Sequence, residues 1–143
     1  MIYVQKHRFW TSNLASSTGK LNLPPGIGRA GEAVARSYVI NELGYEIVET
    51  NFRTQGGEID IIAKTSSQFV FFEVKTRTNK SYGLGIEQIS GRKAVRLQET
   101  AQRFLENHSA DVDWRIDLLS IQMSKSGSVN DIQYIKFAIE EQT

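Results

Sequence analysis

The sequence predicts an α/β domain in which a mixed β-sheet is flanked by helices. Two segments place apolar residues at helical spacing, and five segments are rich in apolar residues that alternate with polar ones. Their order along the chain is helix, three strands, helix and two strands, which favours a sheet with helices packed on it. The length of 143 residues suits one such domain.

The first 27 residues differ in composition from the rest of the chain. The stretch from Thr11 to Gly28 is rich in Ser, Thr, Asn, Gly and Pro and shows no apolar periodicity. A segment of this kind buries too little apolar surface to offset the entropy that is lost on ordering. We therefore expect residues 1–27 to form a flexible or loosely docked arm, and residues 28–143 to form the folded domain.

The first helix is predicted over residues 29–43, and a strand follows it directly. Apolar residues such as Ala33 and Ile40 recur at helical spacing. Gly44 comes next, and glycine commonly ends a helix because it tolerates a positive φ. Residues 45–49 then alternate between apolar and polar side chains, which indicates a first strand.

Two further strands are predicted over residues 58–64 and 69–77. Both runs alternate with a period of two, and the four polar residues 65–68 link them. A short polar link between two such runs is a hairpin signal. Gly56 and Gly57 mark the turn that precedes this hairpin.

The second helix is predicted over residues 90–107, and the last two strands over residues 114–123 and 132–139. The apolar side of this helix comprises Val95, Leu97, Ala101, Phe104 and Leu105. Its polar side carries the cations Arg92, Lys93, Arg96 and Arg103. Arg115 and Asp117 share one face of the strand that follows, and we expect them to form a structural ion pair.

The composition excludes several classes of site. The chain has no cysteine, so disulfides, cysteine-ligated zinc, iron–sulfur clusters and a thiol nucleophile are excluded. No apolar run approaches the roughly 18–20 residues that span a bilayer. The first ten residues contain no apolar segment typical of a secretory signal. We therefore expect a cytoplasmic protein without a membrane partner.

The positive charge is unevenly distributed although the net charge is only +1. Between Thr76 and Arg103 there are six basic residues and two acidic ones. A local basic patch on a nearly neutral chain suits binding to a phosphate backbone. The alternative is an ordinary solvated helix face.

The spacing within the hairpin decides which side chains share a face of the sheet. If residues 65–68 form the loop, Lys64 pairs with Phe69 and Asp60 lies directly opposite Glu73. Side chains alternate along a strand. The face shared with these acids therefore comprises Glu58, Ile62, Phe71 and Lys75. The opposite face is wholly apolar and is predicted to be core: Ile59, Ile61, Ala63, Val70, Phe72 and Val74.

Two directly opposed acids indicate a cation between them. Like charges at this position destabilise a sheet, because the two Cβ atoms are about 4.5–5.5 Å apart. Mg²⁺ would compensate Asp60 and Glu73, since it takes one or two carboxylates together with water and substrate phosphate. Lys75 would point into the same space and could activate a water or stabilise charge on a phosphate. The alternative is a surface ladder in which Glu58 and Asp60 pair with Lys75, which would contribute little stability.

Two motifs in this hairpin match a known pattern. The first is Gly57-Glu58-Ile59-Asp60-Ile61-Ile62-Ala63, and the second, Glu73-Val74-Lys75-Thr76-Arg77, begins after twelve residues that follow Asp60. Further matches are Gly28-Arg29, Gly31-Glu32, Gly44-Tyr45, Asn51-Phe52-Arg53, Lys93, Arg96-Leu97 and Arg115-Ile116-Asp117. Together they resemble the PD-(D/E)XK nuclease superfamily, and within it the YraN-like bacterial proteins. These are predicted endonucleases related to archaeal Holliday-junction resolvases, and the resemblance implies a restriction-endonuclease-like fold over residues 28–143.

The resemblance also implies a role for each matched residue. Asp60 and Glu73 would be ligands of Mg²⁺ or Mn²⁺, with the carbonyl of Val74 as a third ligand. Lys75 would be the catalytic lysine. Glu32 on the first helix would be a supporting catalytic acid, although an acid in a first turn also complements the helix dipole.

The function expected from these features is that of a metal-dependent endonuclease that hydrolyses phosphodiester bonds in DNA, with structured or branched DNA as one candidate substrate. The candidate phosphate contacts are Arg53, Arg77, Lys93 and Arg96. The alternative is a nucleic-acid-binding module that retains a nuclease-like site with little or no cleavage activity. The basic stretch disfavours an interaction protein without a nucleic-acid role. The sequence does not distinguish DNA from RNA as the substrate. It also leaves the oligomeric state open, and a homodimer is compatible with it.

Overall fold

The structure, a computed structural model, describes residues 3–8, 26–78, 91–108 and 112–139 of the chain. Within these ranges the helices are α1 (Ile27–Asn41) and α2 (Gly91–Asn107). The strands are β1 (Tyr3–Arg8), β2 (Glu46–Thr54), β3 (Gly57–Lys64), β4 (Gln68–Arg77), β5 (Asp113–Met123) and β6 (Val129–Ile139). From α1 onward the predicted order of elements is confirmed. Neither helix is long and apolar enough to cross a bilayer.

The strands form one sheet in the order β1-β6-β5-β4-β3-β2. All neighbours are antiparallel except β4 and β5, which are parallel. Parallel strands need a crossover connection, and α2 lies in the connection between β4 and β5. The predicted α/β class, a mixed sheet flanked by helices, is therefore confirmed.

Strand β1 is a departure from the predicted arrangement. It pairs with β6 along its length, from Tyr3 opposite Lys136 to Arg8 opposite Asp131. The composition of residues 1–27 predicts a flexible or loosely docked arm, but the part in β1 is hydrogen-bonded into the sheet. Residues 1–2 and 9–25 of that predicted arm lie outside the described residues, and residues 26–27 form the start of α1. The pairing with β6, rather than any local periodicity, is what makes residues 3–8 a strand.

The β3–β4 hairpin has the predicted register at its closed end. The paired residues are Lys64–Phe69, Ala63–Val70, Ile62–Phe71 and Ile61–Phe72. Thr65 orders the turn, because its Oγ1 accepts the N–H groups of Ser67 at 3.2 Å and Gln68 at 3.1 Å. A threonine hydroxyl in this position mimics a backbone turn and so sets the loop length.

Apolar side chains are buried on both faces of the sheet, one face under each helix. Under α1 the cluster includes Val34, Tyr38, Ile61, Phe72, Leu119 and Tyr134. Under α2 the cluster includes Ile59, Ile62, Phe71, Leu97, Phe104 and Ile116. The prediction of a single buried face is therefore wrong. Ile62 and Phe71 lie on the same face as the acids, and α2 covers them.

Ile59 is buried, as predicted, but on the other face of the sheet. Strict alternation would place it with Ile61 under α1, and it packs instead with Ile62 under α2. The β2 residues that pair with Ile61 and Ile59 flank Asn51, which has a positive φ of 54°. A left-handed residue within a strand changes the local twist and re-aims neighbouring side chains. The irregularity adjoins Asp60, the residue between Ile59 and Ile61.

Strand β5 carries the predicted ion pair in the interior. Asp117 is 0% exposed, and Arg115 Nε donates to its two carboxylate oxygens at 3.1 and 3.0 Å. Arg115 Nη2 donates to the hydroxyls of Tyr45 at 2.9 Å and Tyr134 at 3.3 Å. Tyr134 Oη donates in turn to Asp117 Oδ2 at 2.5 Å. The pair is therefore structural, because its charges are satisfied within the core.

Gly31 allows α1 to approach β4 closely. A Cβ atom on Gly31 would lie 1.8 Å from Thr76 Oγ1 and 2.7 Å from Thr76 Cβ, so rotation of the threonine side chain could not relieve the overlap. We predict that Gly31→Ala lowers the free energy of unfolding by about 1–3 kcal/mol, as overpacking does. Gly28 is the matched control in the same helix, because a Cβ there would meet no atom within 4 Å. Gly28→Ala should raise stability by up to about 1 kcal/mol. Equal urea midpoints for the two variants would contradict the prediction.

Candidate active site

The ladder between β3 and β4 ends at the pair Ile61–Phe72, although both strands continue. Beyond this point β3 remains paired with β2, and β4 with β5. The two central strands therefore separate and leave a notch in the sheet. Asp60 and Glu73 are the first residues beyond the end of the ladder.

Asp60 bridges this notch. Its Oδ2 accepts the backbone N–H of Val74 at 2.8 Å. A side-chain carboxylate thus satisfies a β4 N–H whose partner in a continued ladder would be a β3 carbonyl. The predicted ladder pair between Asp60 and Glu73 is consequently not formed, and Asp60 binds the backbone of the residue that follows Glu73.

The carboxyl group of Asp60 is in an environment that disfavours its charge. Burial raises the pKa of Asp60 to about 7, and the negative charge of Glu73 acts in the same direction. The N–H of Val74 opposes this rise, while the charges of Glu32 and Glu58 add to it. The acidic centre is therefore a place where a cation would be stabilised.

Glu73 is 7% exposed and is held by two lysines. Its Oε1 lies 2.7 Å from Lys93 Nζ and 3.4 Å from Lys75 Nζ. The predicted proximity of Lys75 to Glu73 is confirmed. The contact with Lys93 is not predicted from the sequence, which indicates Lys93 only as a phosphate contact.

The pKa values of the two lysines are shifted in opposite directions. Burial lowers the pKa of Lys75, and the ammonium of Lys93 lowers it further, while Glu73 opposes both. Burial alone would also lower the pKa of Lys93, but its short hydrogen bond to Glu73 and the charges of Glu73 and Asp60 outweigh burial and raise it. Lys75 is therefore the lysine that releases its proton more easily.

The four-residue spacing between Lys93 and Leu97 in the sequence indicates which side of α2 carries Lys93. Residues four apart lie on the same side of a helix. Leu97 is buried against the sheet under α2, so Lys93, one turn earlier, also faces the sheet. Gly57 on β3 lets α2 come close at this point, because a Cβ there would lie only 3.0 Å from Thr100 Oγ1.

A cleft of about 500 Å³ opens over the notch. Its lining combines acids from the strands with cations from the start of α2: Gly57, Glu58, Asp60, Glu73, Arg92, Lys93, Arg96 and Leu97. Arg92 and Arg96 are exposed at this cleft. The carboxylates in this lining could hold a metal ion, and the basic side chains could bind an anion. A phosphodiester group, which is negatively charged, could contact both.

Glu58 pairs with Arg53 on β2 rather than with Lys75. Arg53 Nε lies 3.3 Å from Glu58 Oε2, with the arginine side chain 73% exposed and the glutamate side chain 37% exposed. The alternative of a ladder in which Glu58 pairs with Lys75 is therefore wrong, because the neighbouring strand β2 supplies the cation. A pair this exposed contributes little stability. The assignment of Arg53 as a phosphate contact stays a prediction.

The remaining candidates lie at the margin of the cleft or beyond it. Glu32 on α1 is partly buried and near enough to Asp60 to raise its pKa. The first turn of α1 contains no acid, so the interpretation of Glu32 as a first-turn acid is wrong, while its role as a supporting catalytic acid stays a prediction. Arg77 follows Lys75 by two residues on β4, and its Nε is buried without a hydrogen-bond partner in the part of the chain described. Phosphate binding by Arg77 and Arg96, and metal binding by the Val74 carbonyl, stay predictions.

The donor set suits a hard cation that keeps part of its water shell. No three His, Cys, Asp or Glu side chains converge in the described ranges in a way that would enclose a metal. Two nearby carboxylates, with room in the cleft for water and a phosphate, match the usual coordination of Mg²⁺ in proteins. The absence of cysteine leaves oxygen donors as the principal ligands here.

The raised pKa of Asp60 predicts how the free energy of unfolding depends on pH. The folded-state pKa of about 7 exceeds the ordinary value of 3.8, so the native protein binds more protons than the unfolded chain between these pH values. The free-energy cost of ionising Asp60 in the folded protein, which comes first from burial and then from repulsion by Glu73, is absent below pH 3.8 and reaches its full size above pH 7. Asp60→Asn should therefore raise the free energy of unfolding by about 1–3 kcal/mol at pH 8 in EDTA, and by less at pH 5. Urea titrations showing a loss of stability at pH 8 would contradict this.

The fold and the site together define an α/β protein whose mixed sheet opens between two central strands to present two acids and two lysines. Comparison with known proteins then identifies the family, since the Uncharacterised protein family UPF0102 matches residues 31–121. The chain belongs to this family, which is the YraN-like family that its motifs resemble.

Relatives in several bacteria resemble this chain over nearly their whole length. The UPF0102 protein of Desulforamulus reducens is 39% identical over 116 residues, which cover 79% of this chain and 94% of that protein. The UPF0102 protein of Caldicellulosiruptor bescii is 39% identical over 114 residues, covering 78% and 95%. A UPF0102 protein of Parafrankia sp. is 41% identical over 104 residues, covering 72% and 87%. These names state no activity.

Proposed function

We propose that this protein is a metal-dependent nuclease that hydrolyses phosphodiester bonds in DNA, with structured or branched DNA among its substrates. The observation that supports it is the placement of Asp60 and Glu73 at the notch between β3 and β4, with Lys75 Nζ 3.4 Å from Glu73 Oε1. Two mutually repelling carboxylates beside a lysine are unfavourable for folding alone. They become useful when a cation and a phosphate enter the cleft.

Mg²⁺ or Mn²⁺ is the cofactor that these residues fit. Asp60 and Glu73 would hold it, with the Val74 carbonyl as the third candidate ligand. When bound, the ion would polarise the scissile phosphate and make a water molecule more acidic.

Lys75 is the group placed to act on the nucleophile or on the phosphate. Its lowered pKa suits it to accept a proton from the attacking water. In its charged form it would stabilise the negative charge that develops on the phosphate oxygens. Both roles require Lys75 to remain beside Glu73, where the alternation of β4 places it.

Arg92 and Arg96 extend the site toward the rest of the substrate. They stand one helical turn apart at the exposed edge of the cleft, so they can bind phosphates that flank the scissile one. Contacts of this kind release counterions and make affinity dependent on salt. Contacts to phosphates do not distinguish one base sequence from another, which suits an enzyme that selects its substrate by shape.

The test is a cleavage panel with branched, nicked, duplex and single-stranded DNA and a matched RNA. Each substrate is incubated with wild type and with Asp60→Asn, in Mg²⁺, in Mn²⁺ and in EDTA. The proposal expects metal-dependent cleavage of DNA by wild type and none by Asp60→Asn. That variant keeps the shape of the side chain and an oxygen for the Val74 N–H, so a loss of activity would report on the carboxylate.

Two outcomes would redirect the interpretation. Equal cleavage by wild type and Asp60→Asn would place the activity in another site or in a contaminant. Salt-sensitive binding by wild type without cleavage in any metal would favour the alternative, a binding module that retains a nuclease-like site. The cations at the edge of the cleft would serve either function.

A further inference from the structure

Lys93 occupies an unusual place for a lysine. It is the third residue of α2, where the positive end of the helix dipole disfavours a cation. Its Nζ nevertheless lies 2.7 Å from Glu73 Oε1, closer than the Nζ of Lys75. The side chain is only 32% exposed. The acidic centre, and not the helix, therefore holds this ammonium in place.

The Glu73 carboxylate that Lys93 contacts is one of the two carboxylates that would hold the metal ion. Asp60 uses Oδ2 to accept the Val74 N–H, and Glu73 Oε1 faces both lysines. A divalent ion between Asp60 and Glu73 would come within a few ångströms of the ammonium of Lys93. Two cations at that separation repel each other strongly in a partly buried site. The ion and the ammonium of Lys93 in its present position therefore compete for Glu73.

Of the two lysines, Lys93 is the one that can leave. Lys75 shares β4 with Glu73, whereas it is Lys93 that lines the cleft. Lys93 reaches Glu73 from across the cleft with a flexible stem of four methylenes. Arg92 and Arg96 border the same cleft, so the ammonium would swing toward the edge where a phosphodiester enters.

We propose that Lys93 is the internal cation of the acidic centre before a metal binds, and that it transfers to a substrate phosphate when the metal takes Glu73. This inference rests on the proposed function, because it requires a metal and a phosphate in the cleft. It makes Lys93 a positioning residue that couples the binding of metal to the binding of the phosphate backbone. No bond is made or broken in the exchange.

The first measurement is the affinity for Mn²⁺ alone, by isothermal titration calorimetry on the full chain at 0.15 M salt. Lys93→Met keeps the length of the stem and removes the competing charge, so it should bind Mn²⁺ about tenfold more tightly than wild type. Arg92→Met is the matched control, since it removes a cation from the neighbouring residue in the same cleft. Its effect should stay below about threefold, because an exposed charge is screened at this salt concentration. Lys93→Arg keeps the cation and should bind Mn²⁺ as wild type does.

The second measurement concerns the transfer to phosphate. A phosphorothioate oligonucleotide keeps the backbone charge and resists hydrolysis, so its affinity can be measured with and without saturating Mn²⁺. Mn²⁺ should tighten its binding to wild type by at least about threefold more than its binding to Lys93→Met. Equal tightening in the two proteins would remove the transfer step from the proposal.

The outcomes separate this inference from the proposed function. Wild type and Lys93→Met binding Mn²⁺ equally well would overturn the inference and leave the metal site intact. Equal effects of Lys93→Met and Arg92→Met would also overturn it, because general charge would then suffice. No Mn²⁺ binding by any of the variants would overturn the proposed metal-dependent function and this inference with it. Mn²⁺ binding by Lys93→Met but not by wild type would be its strongest support.

Discussion

Asp60→Asn is expected to lower the single-turnover rate of DNA cleavage in Mg²⁺ by roughly a thousandfold, the scale of losing one preorganised electrostatic group. The same change should leave the metal-free affinity for DNA at pH 8 unchanged or higher. The physical reason is that the carboxylate is needed to hold the metal but repels the polyanion. At pH 8 most of the Asp60 carboxyl is ionised, since its pKa is about 7. Chemistry and binding should therefore separate at this residue.

Two comparisons make the measurement specific. Lys75→Met should also abolish cleavage, but it should weaken metal-free binding, because it removes a positive charge beside the scissile phosphate. Glu58→Gln removes an acid from the same cleft that is already paired with Arg53, so its effect on cleavage should stay below about tenfold. Single-turnover rates and metal-free affinities are measured for all three variants. Cleavage by Asp60→Asn at the wild-type rate would exclude Asp60 from the reaction.

Asp117→Leu is expected to lower the free energy of unfolding by about 3–5 kcal/mol. The change leaves the guanidinium of Arg115, which is 6% exposed, in the core without its carboxylate. The hydroxyl of Tyr134 also loses its acceptor. Asp117 pairs with Phe72, the residue before Glu73, in the β4–β5 ladder, so the network supports the strand that carries the site. Urea unfolding followed by circular dichroism measures the loss.

A compensated variant tests whether the loss comes from the unpaired charge. Arg115→Met, Asp117→Leu and Tyr134→Phe together replace the buried polar groups by apolar ones of similar size. Such replacements are often neutral or stabilising, so the triple variant should recover most of the stability lost by Asp117→Leu alone. A loss in the triple variant as large as in the single one would attribute the effect to packing. A loss below about 1 kcal/mol in Asp117→Leu would contradict the burial argument itself.

The closed end of the hairpin is the part of the fold that local sequence describes best. A four-residue polar link and alternating apolar residues predict the pairing of Lys64 with Phe69, and the structure has that pairing. The prediction fails one pair beyond Ile61–Phe72, where the ladder ends. Alternation along a strand assumes regular pairing on both sides. It carries no information about where β3 and β4 part, because that is decided by their separate neighbours, β2 and β5.

The candidate site divides in the same way. The placement of Lys75 beside Glu73 follows from two residues of one strand sharing a face, so the sequence alone predicts it. The contact between Lys93 and Glu73 joins residues on separate elements, and it depends on α2 crossing β3 next to Gly57. Helical spacing shows that Lys93 and Leu97 share a face of α2. Nothing in that spacing says which strand the face meets.

The sequence by itself determined the mixed α/β class, the two helices, the register at the closed end of the hairpin and the placement of Lys75 beside Glu73. These depend on periodicity and on short loops, which are properties of neighbouring residues. Only the tertiary structure decided that both faces of the sheet are buried, that residues 3–8 add an edge strand, and that Lys93 neutralises Glu73. Each of these needs two segments far apart in the chain to meet, and the free energy that brings them together comes from burial, which a local pattern does not specify.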